Sequence, residues 1–79
     1  MIKANSFVRN IVPVSCLDET SRKIINMPSG SSFKVLSLRK EVKMNNQEWF
    51  FMEIYHQESG KMFFNGNDVR LHSHFEVIV

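Results

Sequence analysis

His72 and His74 stand two residues apart in a chain of 79. On an extended strand that spacing projects both imidazoles from one face, where they could share a metal ion. A zinc site needs three or four ligands and groups that orient them, so His56 or Glu76 would have to complete the set. Nothing in the spacing brings His56 alongside, and the expectation is a pair of solvated histidines with no bound metal or cofactor. Cys16 is the only thiol and has Asp18 nearby. A thiol nucleophile requires a base and an oxyanion hole, and no such set is visible, so Cys16 reads as a small buried hydrophobe. Glu41, Glu48, Glu53 and Glu58 are spread over two hairpin strands without forming an acid–base pair. Glycine occurs only at Gly30, Gly60 and Gly66, which leaves no glycine-rich loop to cradle a phosphate. The residue types point to binding rather than catalysis.

Three groups of residues could do the binding. Arg39, Lys40 and Lys43, with Lys34, flank the Asn45-Asn46 turn signal and could form a positive arm for phosphates or for an acidic protein, although Glu41 sits among them. Trp49 and Tyr55 fall on one face of their strand, and each has a polar tip that tolerates exposure. Arg70, His72 and His74 share the face opposite Val69, Leu71, Phe75, Val77 and Val79 if the last eleven residues are extended. The leading expectation is a non-enzymatic module that modulates a protein partner, through an exposed strand edge or the Arg70/His72/His74 face. The alternative is a small barrel that binds nucleic acid with the basic hairpin and exposed aromatics. The terminal run Phe75-Glu76-Val77-Ile78-Val79 lacks the lysine or proline that blunts an edge, so it invites another chain and leaves homodimerisation open.

Residues of these types need strands to position them. Asn45-Asn46, Glu58-Ser59-Gly60 and Asn65-Gly66-Asn67 are turn signals, because Asn and Gly accept positive φ at low cost. They divide the second half into strands over 32–44, 48–57, 61–64 and 69–79, expected as an antiparallel meander. The segment Trp49-Phe50-Phe51-Met52 with Ile54 and Tyr55 is apolar on both faces, as in a central strand. Between Phe33 and Met44 the apolar parity changes, which predicts a bulge or a strong bend. Ser6 to Val14 reads as a strand, placed at an edge by Pro13. Residues 17–26 support two readings: a short helix, from the Ser15/Asp18 capping pattern and the Asp18/Arg22 and Glu19/Lys23 pairs, or a loop followed by a short strand.

Composition bounds the rest. The chain is 43% hydrophobic and 23% charged, enough apolar content to collapse into one small domain over residues 1–79, with no repeat or linker. A net charge of +2 is far from the dense positive charge of a dedicated nucleic-acid binder. One cysteine allows no internal disulfide, and with Arg9, Asn10 and Pro13 interrupting any signal-like core, a reducing cytoplasm is expected. No apolar run approaches the roughly 20 residues of a membrane span. The bias toward Asn, Lys, Ile and Phe fits a small phage or mobile-element protein acting on a host protein.

Gly30 before Phe33-Lys34-Val35-Leu36, a hairpin into Trp49, then Gly60, then Asn67-Asp68-Val69 leading to a final strand, together resemble the rhythm of Src-homology-3-like small barrels over about residues 28–73. The resemblance implies a barrel of about five strands with a short helical turn at Asn67-Asp68. It implies no particular ligand, because the tyrosine-rich motif of the peptide-binding members is absent and Trp49 is followed by Phe50. The expected fold is mainly β: a strongly curved antiparallel sheet or such a barrel.

Overall fold

A computed structural model of the chain describes residues 2–42 and 46–78. Lys43, Met44, Asn45 and Val79 therefore lie outside the described residues, and with them one basic candidate, part of a turn signal and the last apolar position. Seven strands run in order: β1 Phe7–Asn10, β2 Val14–Asp18, β3 Ile24–Met27, β4 Ser32–Val42, β5 Glu48–His56, β6 Gly60–Asn67 and, after helix α1 Asp68–His74, β7 Phe75–Val77. All pairings are antiparallel, in one sheet of order β3-β2-β6-β5-β4-β1-β7. The sheet is mainly β as expected and curls into a half-barrel. Seven strands replace the expected five because residues 14–27 add a hairpin.

A single sheet can hide its apolar face only by curving around it, and the strand patterns show how. On β5, Phe50, Met52 and Ile54 are fully buried, while Trp49, Phe51 and Glu53 are half-buried and Tyr55 is exposed. This alternation defines an inner and an outer face. β5 is the fourth of seven strands, the expected central position. On β4 the register shifts between Val35 and Ser37, so that buried Phe33 and Val35 and then half-buried Leu38 all point inward. The expected parity change is thus a bulge, and it bends the longest strand around the core. Gly60 closes the β5–β6 hairpin at φ 82°, and Ser59 N donates to His56 Nδ1 at 3.2 Å.

Three expectations are corrected, and the open reading of residues 17–26 is decided. Asn65-Gly66-Asn67 is not a turn: Gly66 pairs with Phe50 inside β6. A Cβ on it would lie 3.2 Å from Arg70 Cδ and 3.6 Å from Phe50 Cε1, so glycine here admits neighbours rather than reversing the chain. Residues 69–79 are not one strand. Asn67 caps α1, its side chain accepting from Arg70 N at 3.0 Å, and the i,i+4 pair Leu71 and Phe75 enters the core at 1% and 3% exposure. That pair satisfies both periods, and the helical one is the one capped by Asn67. Residues 17–26 form no helix; Leu17 pairs with Ile24 and Cys16 with Ile25. Asp18 makes the reversal, its carboxylate accepting from Ser21 N and Ser21 Oγ at 2.7 Å each, with Arg22 at φ 61°. These bonds hold the Asp18 carboxyl below the usual carboxylate range, the Ser21 hydroxyl contributing most. Finally, β1 stops at Asn10 and lies between β4 and β7 rather than at an edge, and Pro13 marks the corner to β2.

Candidate binding face

The candidate residues separate according to where these elements place them. Arg70, His72 and His74 lie on α1, where a two-residue step turns about 200° instead of preserving the face. Arg70 and His74 come together against Phe64, at 5.8 Å and 6.3 Å from its ring centroid, while His72 points elsewhere and is exposed. The histidine pair therefore shares no face, which corrects the extended-strand expectation. Half-buried His74 has its Nδ1 buried with no hydrogen-bond partner, and His56 Nδ1 already accepts from Ser59. Among the described residues no group of three His, Cys, Asp or Glu could hold a metal.

Cys16 faces inward on β2 at 1% exposure, and burial pushes its thiol up to about 11. A thiol held neutral and covered is a poor nucleophile. Native protein is accordingly expected to resist iodoacetamide at about pH 8, with modification appearing only as the chain is unfolded by urea; rapid stoichiometric alkylation of the folded protein would contradict this placement.

The basic residues of the β4–β5 hairpin divide as well. Arg39 is on the outer face opposite Phe51, its guanidinium 5.1 Å from that ring and its Nε 3.1 Å from Glu41 Oε1. Lys40 lies across from Phe50 and so points to the inner side, where it is nonetheless exposed. The two cations do not form one surface.

Arg39, Trp49 and Tyr55 do share a surface, the outer face of β4, β5 and β6. Cross-strand register aligns Glu41 with Trp49 and Asn67, Arg39 with Phe51 and Asn65, and Ser37 with Glu53 and Phe63. The last of these rows continues through half-buried Leu17 to Ile24, which is 66% exposed. An open cleft of about 200 Å³ lies among Arg39, Phe51, Glu53 and Phe63. Phe51 was legible from the sequence, since it shares the parity of Trp49 and Tyr55. Phe63 was not, because only its pairing with Glu53 brings it there. Seen from its edges, the sheet ends at β7 as the open-edge expectation requires, but β7 has only three residues and Glu76 is held by Arg9, whose Nε donates to Glu76 Oε1 at 2.9 Å.

No helix among the described residues is long and apolar enough to cross a membrane. No protein-family model, curated protein or solved structure matches the chain, so the surface itself is the ground for a functional reading.

Proposed function

We propose that this protein is a non-enzymatic binding module that docks a protein partner on the outer face of β4, β5 and β6. The observation that carries the reading is the row structure of that face, where Trp49, Phe51 and Phe63 are only half-buried and Arg39 lies over Phe51. Trp, Tyr and Arg are the residues that most often dominate protein interfaces, since each combines a large apolar body with a directional polar group. The charge pattern favours a protein over a nucleic acid. Glu41 neutralises Arg39 and Glu53 sits within the aromatic stripe, an arrangement that repels a polyanion and suits a partner of mixed charge. A lone cysteine without a disulfide partner supports a reducing compartment, and the Asn, Lys, Ile and Phe bias supports a mobile-element protein acting on a host protein.

The test is capture of a partner from a lysate of the source cell, with and without nuclease, by wild-type protein and by Trp49→Ala and His72→Ala variants. One protein retained through nuclease treatment, with its affinity lowered about thirtyfold by Trp49→Ala and unchanged by His72→Ala, is the expected result. Retention that depends on nucleic acid, or on His72 and not on Trp49, overturns the reading.

A further inference from the structure

The outer face carries a second cleft, of about 330 Å³, at the opposite end of β5 from Trp49. It is lined by Phe7, Ser32, Lys34, Tyr55 and Gln57, with Phe33 beneath. Register explains the grouping, because Phe7 pairs with Lys34 and Lys34 with Tyr55, so that one row crosses β1, β4 and β5. Phe7 and Tyr55 are 43% and 44% exposed, and Lys34 is half-buried between them.

Every polar group of this cleft includes a donor, and none is a carboxylate. Lys34 is its only charge, and the Ser32 hydroxyl, the Tyr55 hydroxyl and the Gln57 amide can all donate. Among the described residues no carboxylate pairs with Lys34; its ammonium lies 6.0 Å from the Phe7 ring centroid, while of the nearby cations Arg9 is held by Glu76 and Lys61 follows Tyr55 in the same row on β6, outside the cleft lining. The ammonium of a half-buried lysine beside apolar rings gains from an anion, since the surrounding surface screens it less than bulk water. A single ammonium, without a guanidinium fork or a row of backbone N–H groups, matches a singly charged carboxylate better than a phosphate.

We infer that this cleft anchors an acidic side chain of the partner polypeptide, with Lys34 holding the carboxylate and Phe7 and Tyr55 packing on adjacent apolar residues. The inference deepens the outer-face reading and rests on it, by assigning the charge that the partner must present. The probe is N-acetyl-Phe-Glu-Phe-amide, followed by amide chemical shifts of the full chain, against the same peptide with Gln for Glu and against a thymidine oligonucleotide.

Shifts centred on Phe7, Lys34, Tyr55 and Gln57 are expected. Affinity should drop roughly tenfold for the Gln peptide and for Lys34→Met, and should be kept by Lys34→Arg. Lys34→Met retains the apolar stem, so its fold is checked by the unshifted core amides. Equal binding of the two peptides, unchanged binding by Lys34→Met, or Lys34-dependent preference for the oligonucleotide would each overturn the inference. Trp49 lies outside this cleft. Partner capture lost in Trp49→Ala but kept in Lys34→Met, with equal binding of the two peptides, overturns the anchor and leaves the outer-face reading standing.

Discussion

Phe50→Ala is expected to abolish cooperative folding, whereas Phe51→Ala, one residue along the same strand, should leave a folded protein. Phe50 is 0% exposed at the centre of the sheet, its ring 5.7 Å from that of Phe64 and beside the space left by Gly66. Truncating a buried Phe removes its transfer energy and leaves a cavity that a central strand held between β4 and β6 cannot collapse into, at a cost of about 3–5 kcal/mol. A chain of this length holds a total margin of roughly 4–12 kcal/mol, so the loss equals the whole margin at the lower end of that range, where a small curved sheet belongs. Phe51 faces outward and half-exposed under Arg39, and its truncation should cost about 1 kcal/mol, because no internal cavity forms. Urea titrations followed by circular dichroism and Trp49 fluorescence measure both. Equal losses would mean that the outer face is as well packed as the inner one, and the proposed docking surface would then have no room for a partner.

Asn10→Leu should also destabilise the protein, although it replaces a polar residue in the core by an apolar one of similar size. Asn10 is 0% exposed. Its Nδ2 donates to Pro28 O at 2.9 Å and to Met27 O at 3.3 Å, while its backbone accepts from Gly30 N at 2.8 Å and donates to Ser31 O at 3.1 Å. These bonds tie the end of β1 to the connection between β3 and β4, beside the bond from Ser29 Oγ to Ile11 O at 3.0 Å. Leucine would take the Nδ2 donor away from Met27 O and from Pro28 O, the latter keeping the Ser31 hydroxyl at 2.6 Å and Ser31 N at 3.3 Å, at a cost of about 1–3 kcal/mol. Asn10→Asp sharpens the test, because a carboxylate would face two carbonyl oxygens and its pKa in the folded state would rise above the unfolded value. The sign then runs against the usual carboxylate: the variant is least stable above the unfolded pKa and gains stability as acid protonates it. A urea midpoint of Asn10→Asp that rises between about pH 7 and pH 5, relative to wild type, is the expected outcome. A flat difference would mean that the side chain reaches solvent.

Asn10 also shows where sequence reasoning stops. Nothing in Phe7-Val8-Arg9-Asn10 marks the asparagine as buried, because its partners are 17 and 18 residues away. The β4–β5–β6 meander, by contrast, was legible except for the end of β6, where Asn65-Gly66-Asn67 reads as a turn. Alternating apolar residues, the parity change after Val35 and the positive-φ glycine at Gly60 are local signals, and each concerns residues that hydrogen-bond to near neighbours in the chain. The candidate site was half legible for the same reason. Strand parity alone puts Trp49, Phe51 and Tyr55 on one face, but the arrival of Phe63 from β6, and the alignment of Phe7, Lys34 and Tyr55, depend on register between strands.

What the sequence determined by itself was therefore the periodic part: a mainly β chain, three consecutive hairpin strands, a bulge, a central aromatic strand and a single thiol suited to burial. What only the tertiary structure decided was every segment whose local signals supported two answers. Residues 17–26 could cap a helix or turn a hairpin, and pairing of Leu17 with Phe63 across β2 and β6 selects the hairpin. Residues 68–75 fit both a strand and a helix, and the space beside Phe64, filled by Phe75 at 5.0 Å between ring centroids, is reached with α1 in place. Asn65-Gly66 signals a turn, yet Phe50 needs a partner strand with no side chain opposite it. In each case a local preference of about 1 kcal/mol was set against burial of a large side chain, which contributes about 2–3 kcal/mol, and the burial prevailed.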